Sequence, residues 1–115
     1  MEKKDLFQTL AIAAQIDGGL GLEERMLLEK HAQALALPAA DAQAIIEAVA
    51  SGKASEIKKP EKPEARMSLF KAVVQIVRAD RKLTKGEQKL VKRLGNALDI
   101  PEADVENALK GRAIG

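Results

Sequence analysis

The chain has 115 residues, a net charge of +2 from 19 Lys/Arg and 17 Asp/Glu residues, and no cysteine. The lack of cysteine excludes disulfides, thiolate metal sites and a cysteine nucleophile, and the length predicts one domain with a modest core. The longest uncharged run, Leu6–Ile16, has eleven residues, which is too short to span a bilayer, and the N-terminus does not resemble a secretory signal. We therefore expect a cytoplasmic protein that is not inserted in a membrane.

Alanine and leucine dominate the composition, and Phe7 and Phe70 are the only aromatic residues, which favours helices over strands. Residues 51–63 are rich in lysine and proline and are expected to form a surface connection. Six helices are predicted in chain order at Asp5–Ile16, Leu22–Ala36, Ala39–Ala50, Glu64–Ala79, Lys85–Leu98 and Glu102–Lys110.

The sequence contains an internal repeat. A shift of 63 residues aligns the two halves without a gap, so that repeat one covers about 5–50 and repeat two about 64–110. Half of the chain is too small to bury two nearly all-apolar helices alone, so the repeats should pack together as one domain over residues 1–115. We predict an all-α fold: a single compact bundle of six or seven helices, built from two three-helix repeats that are related by a pseudo-twofold axis and superpose. Identical pairs in this register are Leu6–Phe7 with Leu69–Phe70, Asp17 with Asp80, Glu24 with Glu87, and Pro38 with Pro101.

Helical periodicity also predicts the core. His31 aligns with Leu94, so we expect a packed or hydrogen-bonded histidine and not a metal ligand. The apolar residues predicted to be buried are Leu10, Ile16, Leu27, Leu35, Phe70, Val73, Val74, Val77, Leu90, Leu94 and Leu98.

Each repeat carries an aspartate before its second helix and a glutamate in the first turn of that helix. These pairs are Asp17 with Glu24 and Asp80 with Glu87. On a helical wheel at about 100° per residue, both glutamates fall among the apolar residues, where a carboxylate requires partners.

Two interpretations of these acidic residues are open. In the structural one, Thr84 and Glu87 form a capping box, which is a common motif, and the aspartates accept backbone N–H bonds within their own turns. In the other, the carboxylates hold a divalent cation, and their oxygen ligands suit calcium, magnesium or manganese. The spacing of an EF-hand is absent.

One pattern occurs twice in the chain. It consists of an alanine-rich or apolar helix, an aspartate followed by glycine in repeat one, an apolar residue, and a glutamate that opens the next helix. This pattern resembles the TerB-like family of tellurite-resistance proteins. The resemblance spans Leu6 to about Leu109. It implies an all-helical fold of about seven helices with pseudo-twofold repeats and a cation-binding acidic surface. It also implies a non-enzymatic role in stress responses to metal or tellurium oxyanions, with a protein partner. The matching residues are Asp17, Gly18, Leu20 and Glu24 in repeat one, and Asp80, Leu83 and Glu87 in repeat two.

The two motifs differ in their surroundings. Arg81 replaces the glycine expected after Asp80, and Arg78, Lys82 and Lys85 surround that aspartate and compete with a metal. The cation ligands predicted from the sequence are therefore Asp17, Glu24, Asp80 and Glu87, with the second pair weaker than the first.

The alternative function is a helical protein–protein interaction module in which the acidic motif is purely structural. Residues 1–57 carry a net charge of −4 and residues 58–115 carry +6, so complementary halves favour head-to-tail association into a homo-oligomer. The stripe of Lys85, Lys89 and Lys92 is typical of a solvated helix face, and no nucleic-acid motif accompanies it. No set of residues resembles a catalytic triad, and we expect no enzyme activity.

Overall fold

The structure is a computed structural model that describes residues 3–15, 21–54, 57, 59–78 and 83–112. These described residues contain helices and no strands, which confirms the all-α prediction. None of their helices is both long and apolar enough to cross a bilayer. The helices are α1 Lys3–Gln15, α2 Leu22–Ala34, α3 Ala39–Ala50, α4 Pro63–Val77, α5 Lys85–Ala97 and α6 Glu102–Lys110.

The chain divides into two compact units, Met1–Ile57 and Lys58–Gly115, here called unit 1 and unit 2. Their boundary lies inside the predicted connection at residues 51–63. Each unit contains the three helices of one predicted repeat. The superposition of the two units and their packing into one domain remain predictions.

Unit 1 is organised around α1. This helix packs most extensively against α3, and α2 contacts both of them. Its segment Leu10–Ala14 is apolar on every side and buried, which suits that central position. The buried residues of unit 1 are Phe7, Leu10, Ala11, Ile12, Ala13 and Ala14 from α1, Leu28, His31 and Ala32 from α2, and Ala42, Ile46 and Val49 from α3.

Unit 2 is organised around α5, which packs against both α4 and α6. Its two neighbours do not share an interface comparable to the one between α1 and α3. Within the shorter α6 only Ala108 is buried. The other buried residues of unit 2 are Leu69, Phe70, Val73, Val74 and Val77 from α4, Glu87, Leu90, Val91, Leu94 and Gly95 from α5, and Leu98 just after it.

The corner between the second and third helix has the same local geometry in both units. Ala36 and Asp99, which are 63 residues apart, have φ angles of 57° and 55°. At each corner two backbone N–H groups donate to carbonyls of the preceding helix, the pattern of a Schellman motif. Pro38 and Pro101 then precede the third helix with nearly equal dihedral angles. The left-handed residue explains why α2 ends at Ala34, two residues before the predicted end.

Most of the predicted core residues are buried, and two predictions were wrong. Leu27 and Leu35 are half-buried, whereas Leu28 and Ala32 are buried. The buried stripe of α2 is therefore narrow, and Leu27 lies at its edge. Leu35 directly follows α2 but is half-buried, whereas the equivalent Leu98 after α5 is fully buried. Ile16 lies outside the described residues. The residues whose predicted burial is confirmed are Leu10, His31, Phe70, Val73, Val74, Val77, Leu90, Leu94 and Leu98.

Candidate functional site

The Glu87 carboxylate is fully buried and forms part of the N-terminal cap of α5. The Thr84 backbone N–H donates to Glu87 Oε1 at 3.0 Å, and the Glu87 backbone N–H donates to the Thr84 hydroxyl oxygen at 3.1 Å. Together the two bonds form the capping box that the sequence Thr-Lys-Gly-Glu predicts. At least one carboxylate oxygen of Glu87 therefore has a structural use.

Glu24 has the equivalent place in α2 and a different environment. Its helix begins after Gly21, which has no hydroxyl group and makes no side-chain cap bond. The Glu24 carboxylate folds back over this glycine: Oε2 lies 2.9 Å from the position that a Cβ atom on Gly21 would occupy. Among the described residues, no side-chain hydrogen bond or ion pair involves this half-buried carboxylate.

The two predicted aspartates, Asp17 and Asp80, lie outside the described residues. The structure therefore describes Glu24 and Glu87 and leaves the pairing of each with its aspartate as a prediction. Within the described part of the chain, no three His, Cys, Asp or Glu side chains are close enough to hold a metal ion.

Arg78, which the sequence suggested as a partner for Asp80, contacts a different element. Its Nη1 donates to the carbonyl oxygen of Ala108 at 3.0 Å and lies 3.5 Å from that of Leu109. These carbonyls lie in the last turn of α6, where the usual i+4 donors are missing, and that of Ala108 also accepts from the Gly111 backbone N–H at 3.3 Å. Arg78 thus joins the end of α4 to the end of α6.

A basic pocket that the sequence did not predict lies at this junction, lined in part by Lys71, Arg78 and Arg112. The available signal was Gly111, which stands where repeat one has Ala48. A glycine after a helical segment predicts that the helix ends there, whereas an alanine permits it to continue.

Unit 1 also exposes two large apolar residues on α2. Leu22 and Met26 are one turn apart on α2, and 76% and 61% of their surfaces are exposed. At about 100° per residue, Leu22 and Met26 lie about 160–200° from Glu24 around α2, so the pair is on the opposite side of the helix from the candidate cation site. It is therefore a second surface with functional potential, of the kind that protein partners contact.

The sequence was compared with known families, curated proteins and solved structures. The family model described as "Tellurite resistance protein TerB" matches residues 3–110, nearly the whole chain. The chain therefore belongs to the TerB family. Neither the curated proteins nor the solved structures gave a match.

Proposed function

We propose that this TerB-family domain is a non-enzymatic module that binds a divalent cation through Asp17 and Glu24, in a response to metal or tellurite stress. The observation that supports it is the contrast between the two glutamates. Glu87 is fully buried and caps α5 through Thr84, whereas Glu24 is half-buried beside a glycine that offers no cap. The carboxylate of Glu24 is therefore accessible to a ligand.

The residues around Glu24 suit a hard cation. A side chain on Gly21 would collide with Glu24 Oε2, so this glycine leaves room for the carboxylate to fold over the start of α2. Carboxylate oxygens are the ligands that calcium, magnesium and manganese prefer. We expect weak binding, because two carboxylates supply only part of the coordination shell and water or backbone carbonyls must complete it.

The test is thermal and chemical unfolding of the full chain with and without millimolar calcium, magnesium or manganese. A bound cation stabilises the folded state by about 2.7 kcal/mol at a hundredfold excess over its dissociation constant. We expect at least one of these ions to stabilise the wild type, and the double variant Asp17→Asn, Glu24→Gln to lose that gain. If none of the three ions changes the stability of the wild type, the cation proposal is wrong.

A matched control comes from the other repeat. Asp80→Asn with Glu87→Gln removes the same charges, but Glu87 is already used in the capping box. We expect this variant to be less stable by about 0.5–2 kcal/mol without any cation, and to retain most of the gain on adding the ion.

The alternative is a helical protein–protein interaction module, and two observations favour it. The capping box gives the second acidic motif a structural explanation, and Leu22 and Met26 expose apolar surface on α2. In that case, Leu22→Ser with Met26→Ser should abolish capture of a partner and leave the folding and cation response unchanged.

A further inference from the structure

In unit 2 the third helix ends earlier than its counterpart in unit 1. In the 63-residue register, α6 ends three residues before α3 does. Gly111 ends it with a left-handed φ of 75°, and the Arg112 backbone N–H donates back to the Asn107 carbonyl at 2.7 Å. The chain therefore leaves the helical path at the point where α3 continues.

This early end opens a pocket where unit 1 has a packed interface. Val49, which corresponds to Arg112, is fully buried in unit 1, where α3 packs on α1. In unit 2 the corresponding region is a pocket of about 440 Å³ between α4 and the end of α6. Its wall includes the apolar residues Val74 and Ala108.

The pocket is strongly cationic. Lys71, Arg78 and Arg112 line it, and no Asp or Glu is among the described residues that do so. Each of the three stands where repeat one has an uncharged residue, namely Gln8, Gln15 and Val49. None of the three cations has an ion pair with a carboxylate of the described residues.

One of these cations is held in place. The Arg78 guanidinium is half-buried, and its Nη1 is held by the carbonyls that end α6. Any Cβ atom on residue 111 would collide with its Nη2, so Gly111 both ends the helix and makes room for the guanidinium. A fixed guanidinium loses little conformational entropy when an oxyanion binds, and its planar donors match phosphate oxygens.

We propose that this pocket binds the phosphate group of a small phosphorylated molecule. Arg78 is the fixed donor, and the exposed side chains of Lys71 and Arg112 complete the neutralisation of the anion. The volume exceeds that of a bare phosphate and falls in the range of small-molecule sites, so the apolar wall contacts the remainder of the ligand. The residues assigned to the phosphate pocket include neither Asp17 nor Glu24, so this proposal does not depend on the proposed cation site.

The test uses the full chain labelled with ¹⁵N and titrated with inorganic pyrophosphate at constant ionic strength. We expect saturable shifts at the amides of Lys71, Gln75, Gly111 and Arg112. Because a charge-assisted hydrogen bond contributes to affinity, Lys71→Gln and Arg112→Gln should each weaken binding by about tenfold or more. Both variants leave the contacts of Arg78 with α6 in place.

Lys89→Gln is the matched control, since Lys89 is an exposed lysine of α5 outside the pocket. We expect it to bind pyrophosphate like the wild type. The proposal is overturned if pyrophosphate gives no saturable shift, if chloride gives the same shifts, or if Lys89→Gln weakens binding as much as Arg112→Gln. Binding to vesicles that contain phosphatidic acid, without binding to pyrophosphate, would also contradict a small soluble ligand.

Discussion

Ala36 and Asp99 have the same left-handed backbone conformation but differ in how well their side chains tolerate it. A non-glycine residue in this region is strained, and aspartate tolerates it better than alanine because its short polar side chain bonds locally. Ala36 therefore carries more strain than Asp99 at equivalent corners. Both corners keep the conformation because two backbone hydrogen bonds and the following proline require it.

We predict that Ala36→Gly stabilises the chain by about 0.5–1 kcal/mol, since release from the left-handed strain exceeds the extra entropy of glycine in the unfolded chain. Chemical denaturation measures the change. Asp99→Gly is the matched comparison, and it should stabilise less or destabilise because it also removes the ion pair of Asp99. A loss of stability in Ala36→Gly would show that the corner does not strain this alanine.

Asp99 is also the point where the connection contacts the corner of unit 2. Lys59 Nζ lies 2.7 Å from Asp99 Oδ2, and Arg66 Nη1 lies 3.9 Å from the same oxygen. The Lys59 hydrogen bond and charge, with a smaller effect of Arg66, lower the pKa of the Asp99 carboxyl below its ordinary value. The native state thus favours the charged carboxylate more than the unfolded chain does.

The sign of the pH effect follows from that lowered pKa. The stabilisation by Asp99 should be complete above about pH 3.9, the ordinary aspartate value, and should be lost as the pH falls through the lower pKa of the folded state. The effect should be small, because the pair is exposed. We expect Asp99→Asn to reduce stability at neutral pH and to match the wild type at the acid end of the folded range. A difference that is constant with pH would contradict this.

Alanine substitutions of Leu94 and Leu27 test how deeply α5 and α2 bury these two residues. Leu94 is 1% exposed, whereas Leu27 is half-buried. Leu94→Ala should destabilise by about 2–5 kcal/mol, the cost of a large-to-small change in a core that collapses only in part. Leu27→Ala should cost clearly less in the same urea titration. Equal losses would mean that the helical phase of α2 is wrong.

At the scale of helices, one small-to-large exchange distinguishes the two units. Gly95 of α5 lies against Val105 of α6, and the 63-residue register aligns these two residues with Ala32 and Ala42. A Cβ atom on Gly95 would lie 2.5 Å from Val105 Cγ2 and 3.5 Å from Phe70 Cε1. The space that a side chain at residue 95 would fill is therefore occupied by the larger side chain of Val105.

We predict that Gly95→Ala destabilises by about 1–3 kcal/mol through overpacking, because the stiff β-branched Val105 cannot rotate away easily. The double variant Gly95→Ala, Val105→Ala reproduces the pair of repeat one. It should recover part of the loss, with a coupling energy of about 0.5–3 kcal/mol in a double-mutant cycle. If the two single changes add without coupling, the contact between these residues is not what limits residue 95.

Local signals predicted most helix boundaries, because each depends on a few neighbouring residues. Thr84 with Glu87 marks the start of α5, and Pro38 and Pro101 mark the starts of α3 and α6.

Burial was predicted less well than helix boundaries, since Leu27 matches the buried Leu90 in register but is itself only half-buried. The basic pocket was not predicted, because its cations come from α4, from the residue directly after α4 and from the chain after α6, which only the tertiary structure brings together. Of the candidate cation ligands, the structure describes the two glutamates but neither aspartate.

For the whole molecule, the central question is whether units 1 and 2 fold independently. A unit of this size buries too little of its surface to be more than marginally stable. Each repeat nevertheless contains a first helix with a nearly apolar centre, which must be covered. The opposite net charges of the two halves, −4 and +6, favour their association.

We therefore predict that the full chain unfolds in one cooperative transition, and that fragments 1–57 and 58–115 have little helix when separate. Mixing the two should restore helical circular dichroism, and high salt should weaken the association because their net charges are opposite. We expect gel filtration of the mixture to show a one-to-one complex. Gel filtration of each fragment by itself is the control. Cooperative melting of a fragment alone would show that its three helices suffice, and that the duplicated sequence encodes two autonomous folding units. In that case the net charges would act only between units already folded, and salt would change their association without changing the melting of either one.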